Sequence, residues 1–414
     1  MPFIRRSDDQ EPPLAVEEAQ QRVLELVTPL GAERVALHDS VGRVLAENVV
    51  AAFDLPDRDN SAMDGYAVIA EDTPGTLTVI EDIPAGSVPQ RRVERGTAAR
   101  IMTGALVPEG ANAIAQVEIT DAGSETVRIN QTVAPGTHVR RRGDDMHAGD
   151  TVIARGTRIA AAEIGVLASL QHATVNVARM PSIAILATGD EIVDLDAPRR
   201  AGAIVNSNSF VLAALARDAG AEPQRRGIVA DTLDATVAAL RSALDCDFII
   251  TSGGVSAGAY DFVKDAFAEL GAETRVWRVA MKPGKPVVVS RLPGGQVAFG
   301  LPGNPVSCTV AFILFVAPAI RQAMGQTRDL FPPVVSIRMD APLRSAGDRR
   351  SYLRVRVVAR DGELVATPMK AQGSHVSTSM LGANGLAIVE RGITRIEAGE
   401  RAPVLLIGNA FNGM

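Results

Sequence analysis

The sequence contains little cysteine, which excludes two kinds of small-domain scaffold. Cys246 and Cys308 are the only two cysteines among 414 residues, and they lie far apart in apolar surroundings. Neither a disulfide framework nor a zinc-ligand spacing can be built from such a pair. We therefore expect two buried free thiols in a protein of a reducing compartment.

Aromatic side chains and surplus basic charge are also scarce. Aromatic residues make up 4% of the chain, and 42 basic against 48 acidic side chains give a formal net charge of −6. Nucleic-acid-binding proteins usually carry a basic surplus and aromatic platforms on which bases stack. The composition therefore argues against a nucleic-acid partner, although it leaves room for a basic pocket that binds a small anion.

Long hydrophobic runs and several catalytic motifs are missing as well. Met1–Glu11 is polar, and the longest apolar stretch, Val310–Ile320, contains Pro318 and is too short to span a bilayer. We expect a cytoplasmic protein without a membrane partner. The five histidines show no metal-ligand spacing, and the chain has neither a Gly-x-Ser-x-Gly elbow nor a Walker Gly-Lys-Ser/Thr motif. A serine hydrolase and a P-loop enzyme are therefore disfavoured.

The length of 414 residues predicts two to four domains. Apolar residues at helical spacing in Leu14–Leu30 and Ile159–Gln171 indicate a discontinuous N-terminal domain of helical and extended segments. Short alternating runs rich in Gly, Pro, Val and Thr indicate an inserted β-rich domain and a small C-terminal β-domain. The four predicted domains are residues 1–50 with 143–180, 51–142, 181–328 and 329–414.

Between Pro181 and Gly325, apolar strand-like runs alternate with helical segments. This alternation predicts a doubly wound parallel sheet that is covered by helices on both faces. The predicted fold class is therefore α/β multidomain, with this central domain joined to the three others. Ligands of such sheets bind beyond the carboxyl ends of the strands.

Three predicted strands of the central domain end in loops rich in glycine and hydroxyl groups. These loops are Ala187–Glu191 (ATGDE), Thr251–Gly258 (TSGGVSAG) and Leu301–Ser307 (LPGNPVS). Glycine lets backbone N–H groups approach an oxyanion closely. In the third loop, Asn304 is a good N-cap and Pro305 a good first helical residue, which predicts a helix N-terminus there. One such loop is a common turn, whereas three at one sheet edge indicate an anion site.

A stiff turn, Lys282-Pro283-Gly284-Lys285-Pro286, presents two ammonium groups. By itself this turn is explained as a solvated loop with two surface lysines. Beside three anion-type loops we favour an oxyanion pocket, because lysine ammonium groups suit a tetrahedral dianion.

Four carboxylates, those of Asp64, Glu191, Asp231 and Asp261, lie in or near these motifs. Asp231 by itself is better explained as a helix N-cap, and Asp261 has an alternative explanation as a first-turn residue that compensates the helix dipole. In combination with lysines and loop amides, however, the carboxylates suit phosphoryl or nucleotidyl chemistry in which they hold Mg²⁺.

An ordered set of motifs spans nearly the whole chain. The motifs, in chain order, are Asn60–Tyr66 (NSAMDGY), Pro84–Gly86 (PAG), Arg100–Ala105 (RIMTGA), Thr188–Glu191 (TGDE), Ser252–Ser256 (SGGVS), Lys282–Pro286 (KPGKP), Leu301–Ser307 (LPGNPVS), Gln372–Ser374 (QGS) and Ala383–Leu386 (ANGL). Taken together, this set resembles the molybdopterin molybdenumtransferases, the bacterial relatives of the gephyrin E-domain.

The resemblance implies an activity and its partners. The implied reaction is the insertion of molybdenum from molybdate into adenylylated molybdopterin, with release of AMP and assistance from Mg²⁺. The resemblance also implies a homodimer, in which the site lies between the α/β domain of one subunit and the inserted domain of the other. A contact with the upstream adenylyltransferase is a further expectation.

The resemblance assigns roles to individual residues as well. Asp261, Glu191 and Asp231 are implied to be catalytic, and Asp261 and Glu191 to be the Mg²⁺ ligands. The implied substrate-binding residues are Asp64, Thr103, Thr188, Gly253, Gly254, Ser256, Pro302, Gly303 and Asn304. The implied molybdate-binding residues are Lys282, Lys285, Ser307, Arg354 and Ser374.

Two other functions stay open at this point. A molybdopterin adenylyltransferase shares the Gly-Gly-Val-Ser loop, but it lacks the inserted and C-terminal β-domains predicted here. A non-catalytic scaffold like gephyrin would use the same architecture to bind a receptor peptide, but no linker and no fused partner domain is present in this sequence. Molybdate-dependent release of AMP distinguishes the three functions.

Overall fold

A computed structural model of the protein describes residues 12–198, 200–255 and 262–408. Its strands are β1 (Ala32–Ala36), β2 (Val49–Val50), β3 (Asn60–Ser61), β4 (Gly65–Val68), β5 (Gly75–Ile83), β6 (Thr97–Ile101), β7 (Ala113–Gln116), β8 (Thr126–Ile129), β9 (Val139–Arg140), β10 (Thr151–Ile153), β11 (Thr174–Ala178), β12 (Ser182–Thr188), β13 (Ile192–Val193), β14 (Ile204–Val205), β15 (Glu222–Val229), β16 (Phe248–Ser252), β17 (Glu273–Trp277), β18 (Met281–Lys282), β19 (Val288–Arg291), β20 (Val297–Leu301), β21 (Val334–Met339), β22 (Leu343–Arg344), β23 (Arg350–Arg360), β24 (Glu363–Pro368), β25 (Gly385–Val389), β26 (Arg395–Ile396) and β27 (Arg401–Leu406). Its α-helices are α1 (Val16–Glu25), α2 (Ala161–Ser169), α3 (Asn208–Asp218), α4 (Leu233–Ser242), α5 (Val263–Glu269), α6 (Pro305–Ala311) and α7 (Ala317–Ala323).

The chain folds as two compact units. The first unit comprises the described parts of Met1–Ala46, Gly156–Ala160 and Thr174–Met414, and the second comprises Glu47–Arg155 and Ala161–Ala173. Helices and sheets are both present, so the α/β class is confirmed. The finer division into four domains stays a prediction.

The first unit is built on a six-stranded sheet with the order β15-β12-β16-β20-β19-β17. Alternate side chains of β12 enter two separate cores, with Ile183 and Ile185 in one and Ala184 and Leu186 in the other. This period of two is the geometry of an extended strand. Helices α1, α3, α6 and α7 contribute to the first core, and α4 and α5 to the second. Both faces of the sheet are therefore covered.

The expectation of a wholly parallel sheet is wrong for its far edge. Strands β15, β12, β16 and β20 run parallel, but β19 is antiparallel to both β20 and β17. The reason is the short connection between β19 and β20, where the Leu292 N–H donates to the Gln296 carbonyl at 2.9 Å. Such a tight turn joins antiparallel neighbours, whereas a parallel crossover needs a dozen or more residues.

The C-terminal part of the first unit is a closed sheet. Strands β23, β24, β21, β27 and β25 pair in that order, and β25 pairs back with β23. The short β18 runs parallel to β23, with Met281 opposite Arg350 and Lys282 opposite Ser351. The lysine turn that follows β18 is thereby attached to the start of β23.

One helical segment among the described residues, Pro305–Ala323, is long and apolar enough to cross a membrane. It consists of α6, a π-helical turn over Phe312–Val316, and α7. However, 83% of its most apolar window is buried inside the protein, which is typical of a core helix. The apolar stretch noted in the sequence therefore packs in the first unit's core, against the sheet.

Short strands dominate the second unit, as their alternating sequence predicts. Its main sheet has the order β7-β4-β6-β5-β8. Successive side chains of β4 enter two different cores, with Tyr66 and Val68 in one and Ala67 in the other. A two-stranded pair, β3 with β9, holds Asn60 and Ser61 at the start of the NSAMDGY motif.

Candidate functional site

A cavity of about 690 Å³ lies beyond the carboxyl ends of β12, β16 and β20, in the first unit. This is the edge at which the sequence predicts ligand binding. Eight residues of the predicted site form part of its wall. They are Thr188, Glu191, Asp231, Gly253, Gly254, Pro302, Gly303 and Asn304.

Gly253 and Gly254 pack against Thr188 too closely for any side chain. Their φ angles are +100° and +66°, which L-residues with side chains rarely adopt. A Cβ on Gly253 would lie 2.7 Å from the carbonyl oxygen of Thr188, and one on Gly254 would lie 3.0 Å from Thr188 Oγ1. Gly303 approaches from the third loop, where a Cβ would lie 3.7 Å from the Gly253 Cα. Two glycine loops thus present bare backbone to the cavity.

Thr188 carries a buried hydroxyl without a protein partner. Its residue is 7% exposed and lines the cavity, and Oγ1 has no hydrogen bond in the described part of the chain. A buried hydroxyl that is left unpaired costs free energy. The hydroxyl lies beneath Gly253 and Gly254, and the role of Thr188 as a ligand-binding residue stays a prediction.

Carboxylates gather at one side of the cavity, where the first loop meets the end of β15. The Asp190 N–H donates to Asp231 Oδ2 at 3.3 Å, and the Asp231 N–H donates to Asp190 Oδ1 at 3.1 Å. Burial raises the pKa of the Asp231 carboxyl. The hydrogen bond from the Asp190 N–H lowers this pKa, whereas the negative charges of Asp190 and Glu191 raise it, and the net shift is upward. This side of the cavity therefore holds negative charge that attracts a cation or a proton.

Of two predictions about helix caps beside the cavity, the one for Asp231 is wrong and the one for Asn304 is confirmed. The N-cap of α4 is Thr232, whose Oγ1 accepts a hydrogen bond from the Ala235 N–H at 3.3 Å, so Asp231 is not the cap. Asn304 does occupy the N-cap position of α6, with Pro305 as the first helical residue, but its side chain makes no capping hydrogen bond. Neither the Asp231 nor the Asn304 side chain caps a helix, and both residues line the cavity.

The structure describes all five residues of the predicted molybdate set, and none of them lines this cavity. Residues near three of them in the chain do line it. Pro286 follows Lys285, Pro305 lies close to Ser307, and His375 follows Ser374, and all three neighbours line the cavity. The Val306 N–H donates to the Ser374 carbonyl at 3.1 Å, and a Cβ on Gly284 would lie 3.5 Å from the Ser307 carbonyl oxygen. The lysine turn, the start of α6 and the 374 segment thus meet beside the cavity.

Arg354 is fully buried and holds the segment that carries Ser374. Its Nη2 donates to the carbonyls of Ala371 and Gly373 at 3.3 and 3.1 Å, and its Nε donates to Ser379 Oγ at 3.2 Å. Nη1 is buried without a partner in the described part of the chain, and burial lowers the pKa of the guanidinium. Arg354 therefore anchors this segment, while its Nη1 is buried and unpaired among the described residues.

Asp64 and Thr103 lie together in the second unit. The Thr103 N–H and hydroxyl both donate to Asp64 Oδ1 at 2.7 Å, and these two bonds lower the pKa of the Asp64 carboxyl. The pair is exposed. The structure therefore brings together the NSAMDGY and RIMTGA motifs, as one charged and hydrogen-bonded group.

Comparison with known proteins identifies the family. Three family models match along the chain: "MoeA N-terminal region (domain I and II)" over residues 14–170, "Probable molybdopterin binding domain" over 184–322, and "MoeA C-terminal region (domain IV)" over 336–407. A protein named molybdopterin molybdenumtransferase 2 from Mycobacterium tuberculosis is 41% identical over 403 residues, which cover 94% of this chain and 98% of the relative. The chain belongs to the molybdopterin molybdenumtransferase family.

Other molybdopterin molybdenumtransferases are similar over the same extent. The protein of that name from Bacillus subtilis is 36% identical over 408 residues, covering 95% of this chain and 94% of the relative. A molybdopterin biosynthesis MoeA structure from Pyrococcus horikoshii is 28% identical with a TM-score of 0.83, and it covers 95% of this chain and 100% of that chain. The family resemblance and the α/β multidomain class drawn from the sequence are confirmed.

Two predicted residues, Ser256 and Asp261, lie outside the described residues. Within 12–198, 200–255 and 262–408, no group of three His, Cys, Asp or Glu side chains could hold a metal ion. The predicted roles of the individual site residues stay predictions.

Sequence reasoning missed several residues that line the cavity, and two of them carry side chains with nitrogen atoms from separate segments. Asn208, the first residue of α3, and His375 both line the cavity. Asn208 follows no glycine loop, and His375 comes from the segment that Arg354 anchors. Their only sequence signal is position, since Asn208 stands at a helix start and His375 follows the Gln372–Ser374 motif.

Proposed function

We propose that this protein inserts molybdenum from molybdate into adenylylated molybdopterin and releases AMP. It is a transferase of molybdenum cofactor biosynthesis. The proposal rests on the 690 Å³ cavity, which joins glycine-loop amides, an unpaired hydroxyl and carboxylates at the sheet edge of a family member. The matches on both sides of the molybdopterin-binding domain, over 14–170 and 336–407, disfavour a single-domain adenylyltransferase.

On the nucleotide side, the cavity supplies donors for phosphate oxygens. Bare backbone at Gly253 and Gly303 can approach an oxyanion, and the Thr188 hydroxyl can donate to it. Asn304 and Pro305 place the N-terminus of the Pro305–Ala323 helical segment at the same wall. Donors that are fixed before the reaction stabilise charge as it develops on the departing AMP phosphate.

On the oxyanion side, the Lys282–Lys285 turn, Ser307, Ser374 and Arg354 would bind molybdate. Molybdate is a tetrahedral dianion, which needs cationic and hydroxyl donors. The two lysines are exposed, and Arg354 keeps Nη1 unpaired. Neutralising the oxyanion favours attack of the two dithiolene thiols on molybdenum. In that step two Mo–S bonds form, one Mo–O bond breaks, and the oxygen leaves as water with the two thiol protons.

The residues present fit Mg²⁺ in donor type. Carboxylate oxygens are the ligands that this ion prefers. The pKa of the Asp231 carboxyl is raised first by burial and then by the negative charges of Asp190 and Glu191, and a cation would offset those charges. Glu191 and Asp231, with Asp261, would hold the ion, which would neutralise phosphate oxygens when bound. Removal of divalent ions with EDTA is expected to slow AMP release, and added Mg²⁺ to restore it.

We further propose that the protein acts as a cytoplasmic homodimer and receives its substrate from the upstream adenylyltransferase. Adenylylated molybdopterin is a reactive intermediate, so transfer between the two enzymes would protect it from water. The support for both proposals is the family resemblance.

One assay separates the three candidate functions. Purified protein is incubated with adenylylated molybdopterin, with and without molybdate, and in parallel with ATP and molybdopterin. We expect AMP release that depends on molybdate and no consumption of ATP. Formation of the adenylate from ATP would indicate an adenylyltransferase, and no reaction in either mixture would indicate a scaffold.

A further inference from the structure

Asn208 connects two of the glycine loops that form the cavity. Its Nδ2 donates to Ser252 Oγ at 2.8 Å and to the Gly303 carbonyl at 2.7 Å. Ser252 ends β16 immediately before Gly253, and Gly303 lies in the loop after β20. One amide group at the start of α3 therefore holds both loops at once.

The orientation of this amide is determined by its partners. A backbone carbonyl can only accept a hydrogen bond, so the NH₂ group of Asn208, and not its oxygen, must face Gly303. The two donated bonds use both N–H groups of Nδ2. Asn208 Oδ1 is then left as an acceptor, on a residue that lines the cavity.

The linkage continues into the core through Ser252. Ser252 Oγ lies 3.8 Å from Cys308 Sγ, at hydrogen-bond distance for sulfur, and Cys308 is a buried residue of α6. The Gly253 N–H donates to the Leu301 carbonyl at 3.0 Å, which joins the same two strand ends on the backbone side. Asn208 supplies the side-chain link across the loops, where a Cβ on Gly303 would lie 3.7 Å from the Gly253 Cα.

We propose that Asn208 is a positioning residue of the cavity, which sets the spacing between the Gly253 and Gly303 loops and so the spacing of the donors that bind the adenylate phosphate. The inference rests on the proposed function and adds a residue to its site. Loss of the amide would leave both loops in place but free to move apart, because their backbone links remain. Substrate binding would suffer more than folding.

The test compares Asn208→Ala and Asn208→Asp with a control on the same helix, Val211→Ala, which is 40% exposed and does not line the cavity. For each variant the measurements are the Kd for AMP, the KM and kcat of molybdate-dependent AMP release, and Tm. We expect Asn208→Ala to raise Kd and KM about tenfold with a smaller change in kcat and in Tm. Asn208→Asp is expected to raise them more, since its carboxylate cannot donate to Gly303 and repels phosphate.

A double-mutant cycle with Ser252→Ala then tests the linkage itself. If Asn208 acts through Ser252 and Gly303, the effects of Asn208→Ala and Ser252→Ala on Kd will not add. Additive effects would overturn the linkage. An Asn208→Ala variant that binds AMP with the affinity of the wild type, whether or not its Tm is lowered, would overturn it as well. Absence of molybdate-dependent AMP release in the wild type would instead contradict the proposed function.

Discussion

Thr188 and Thr251 are two buried threonines whose hydroxyls both lack a partner in the described part of the chain. Thr188 lines the cavity, and Thr251, one residue from the end of β16, does not. An unpaired buried hydroxyl destabilises a fold unless a ligand uses it. Substituting each threonine therefore distinguishes an effect on AMP binding from an effect on fold stability.

We predict that Thr188→Val keeps or slightly raises Tm and weakens AMP binding about tenfold, because valine has the shape of threonine but cannot donate to a phosphate oxygen. Thr251→Val should also keep Tm, and it should leave AMP binding unchanged. Thermal unfolding and calorimetric titration with AMP check both variants. Equal AMP affinity for wild type and Thr188→Val would remove Thr188 from the site.

Asp247 is a stabilising carboxylate at the opposite edge of the sheet, immediately before β16. Arg179 donates to it through Nη1 at 2.9 Å and Nη2 at 2.7 Å, and the Ser182 N–H and hydroxyl each donate at 2.8 Å. Burial raises the pKa of Asp247, but these bonds outweigh it and leave the pKa lowered. A carboxyl with a lowered pKa stabilises the fold above its unfolded pKa of about 3.9, and this stabilisation is lost as the pH falls through the lower folded pKa.

Asp247→Asn is therefore expected to lower the free energy of unfolding by about 1–3 kcal/mol at pH 7, and the difference from wild type should shrink below about pH 4. The neighbouring Asp245 pairs with Arg226 on the surface, with 60% of its side chain exposed, so Asp245→Asn should lower the free energy of unfolding much less than Asp247→Asn does. Urea unfolding between pH 3 and 8 measures both. A difference for Asp247→Asn that does not depend on pH would contradict this account.

At the residue scale the sequence predicted many of the residues that line the cavity and missed how they are held in place. Eight of the predicted site residues line one cavity, because glycine loops at parallel strand ends must share an edge. Asn208 was missed, since its role depends on a helix that begins 44 residues before Ser252 in the chain. The anchoring role of Arg354 was missed for the same reason, as its partners lie 17 to 25 residues away.

At the scale of elements, helices α4 and α6 begin in different ways. Thr232 caps α4 with its side chain, whereas Asn304 stands at the N-cap of α6 without a side-chain bond. The sequence predicted both helix starts well, but not which side chain would bond to the backbone. That choice follows from side-chain rotamers, which a single sequence does not determine.

Thr232→Ala should therefore lower the free energy of unfolding by about 1 kcal/mol, the usual cost of losing an N-cap. Asn304→Ala should lower the free energy of unfolding clearly less. It should instead weaken AMP binding, because Asn304 lines the cavity. Chemical denaturation of both variants beside AMP titration makes the comparison. A loss of stability in Asn304→Ala as large as that in Thr232→Ala would mean that Asn304 does cap α6.

The sheet shows the same limit of local reasoning. Alternation of strands and helices predicted the four parallel strands correctly, since each is followed by a helix. The antiparallel β19 was missed because direction depends on the length of the turn after it. The closure of β25 onto β23 was likewise not predictable, since it joins strands about 35 residues apart through pairing alone.

For the whole molecule, the resemblance implies a dimer whose site takes Asp64 from one subunit and Asp231 from the other. Light scattering should then give twice the 43.5 kDa of one chain. Asp64→Ala and Asp231→Ala should each be inactive as homodimers. Refolding the two variants together should restore about a quarter of wild-type activity, because half of the dimers are mixed and each mixed dimer has one intact site.

This complementation has a clear contrary result. If each site were formed within one chain, every chain in the mixture would carry a defect and no activity would return. Co-refolding wild type with Asp231→Ala serves as the control for recovery of folded protein.

The central claim is that the cavity and the lysine turn beside it together couple loss of AMP to gain of molybdenum. A single-turnover reaction with excess protein tests it most directly, by measuring AMP released and molybdenum bound to the pterin in the same sample. The account predicts one molybdenum atom gained for each AMP released, and little AMP release when molybdate is omitted. AMP released at the same rate without molybdate, or molybdenum gained without AMP, would contradict it.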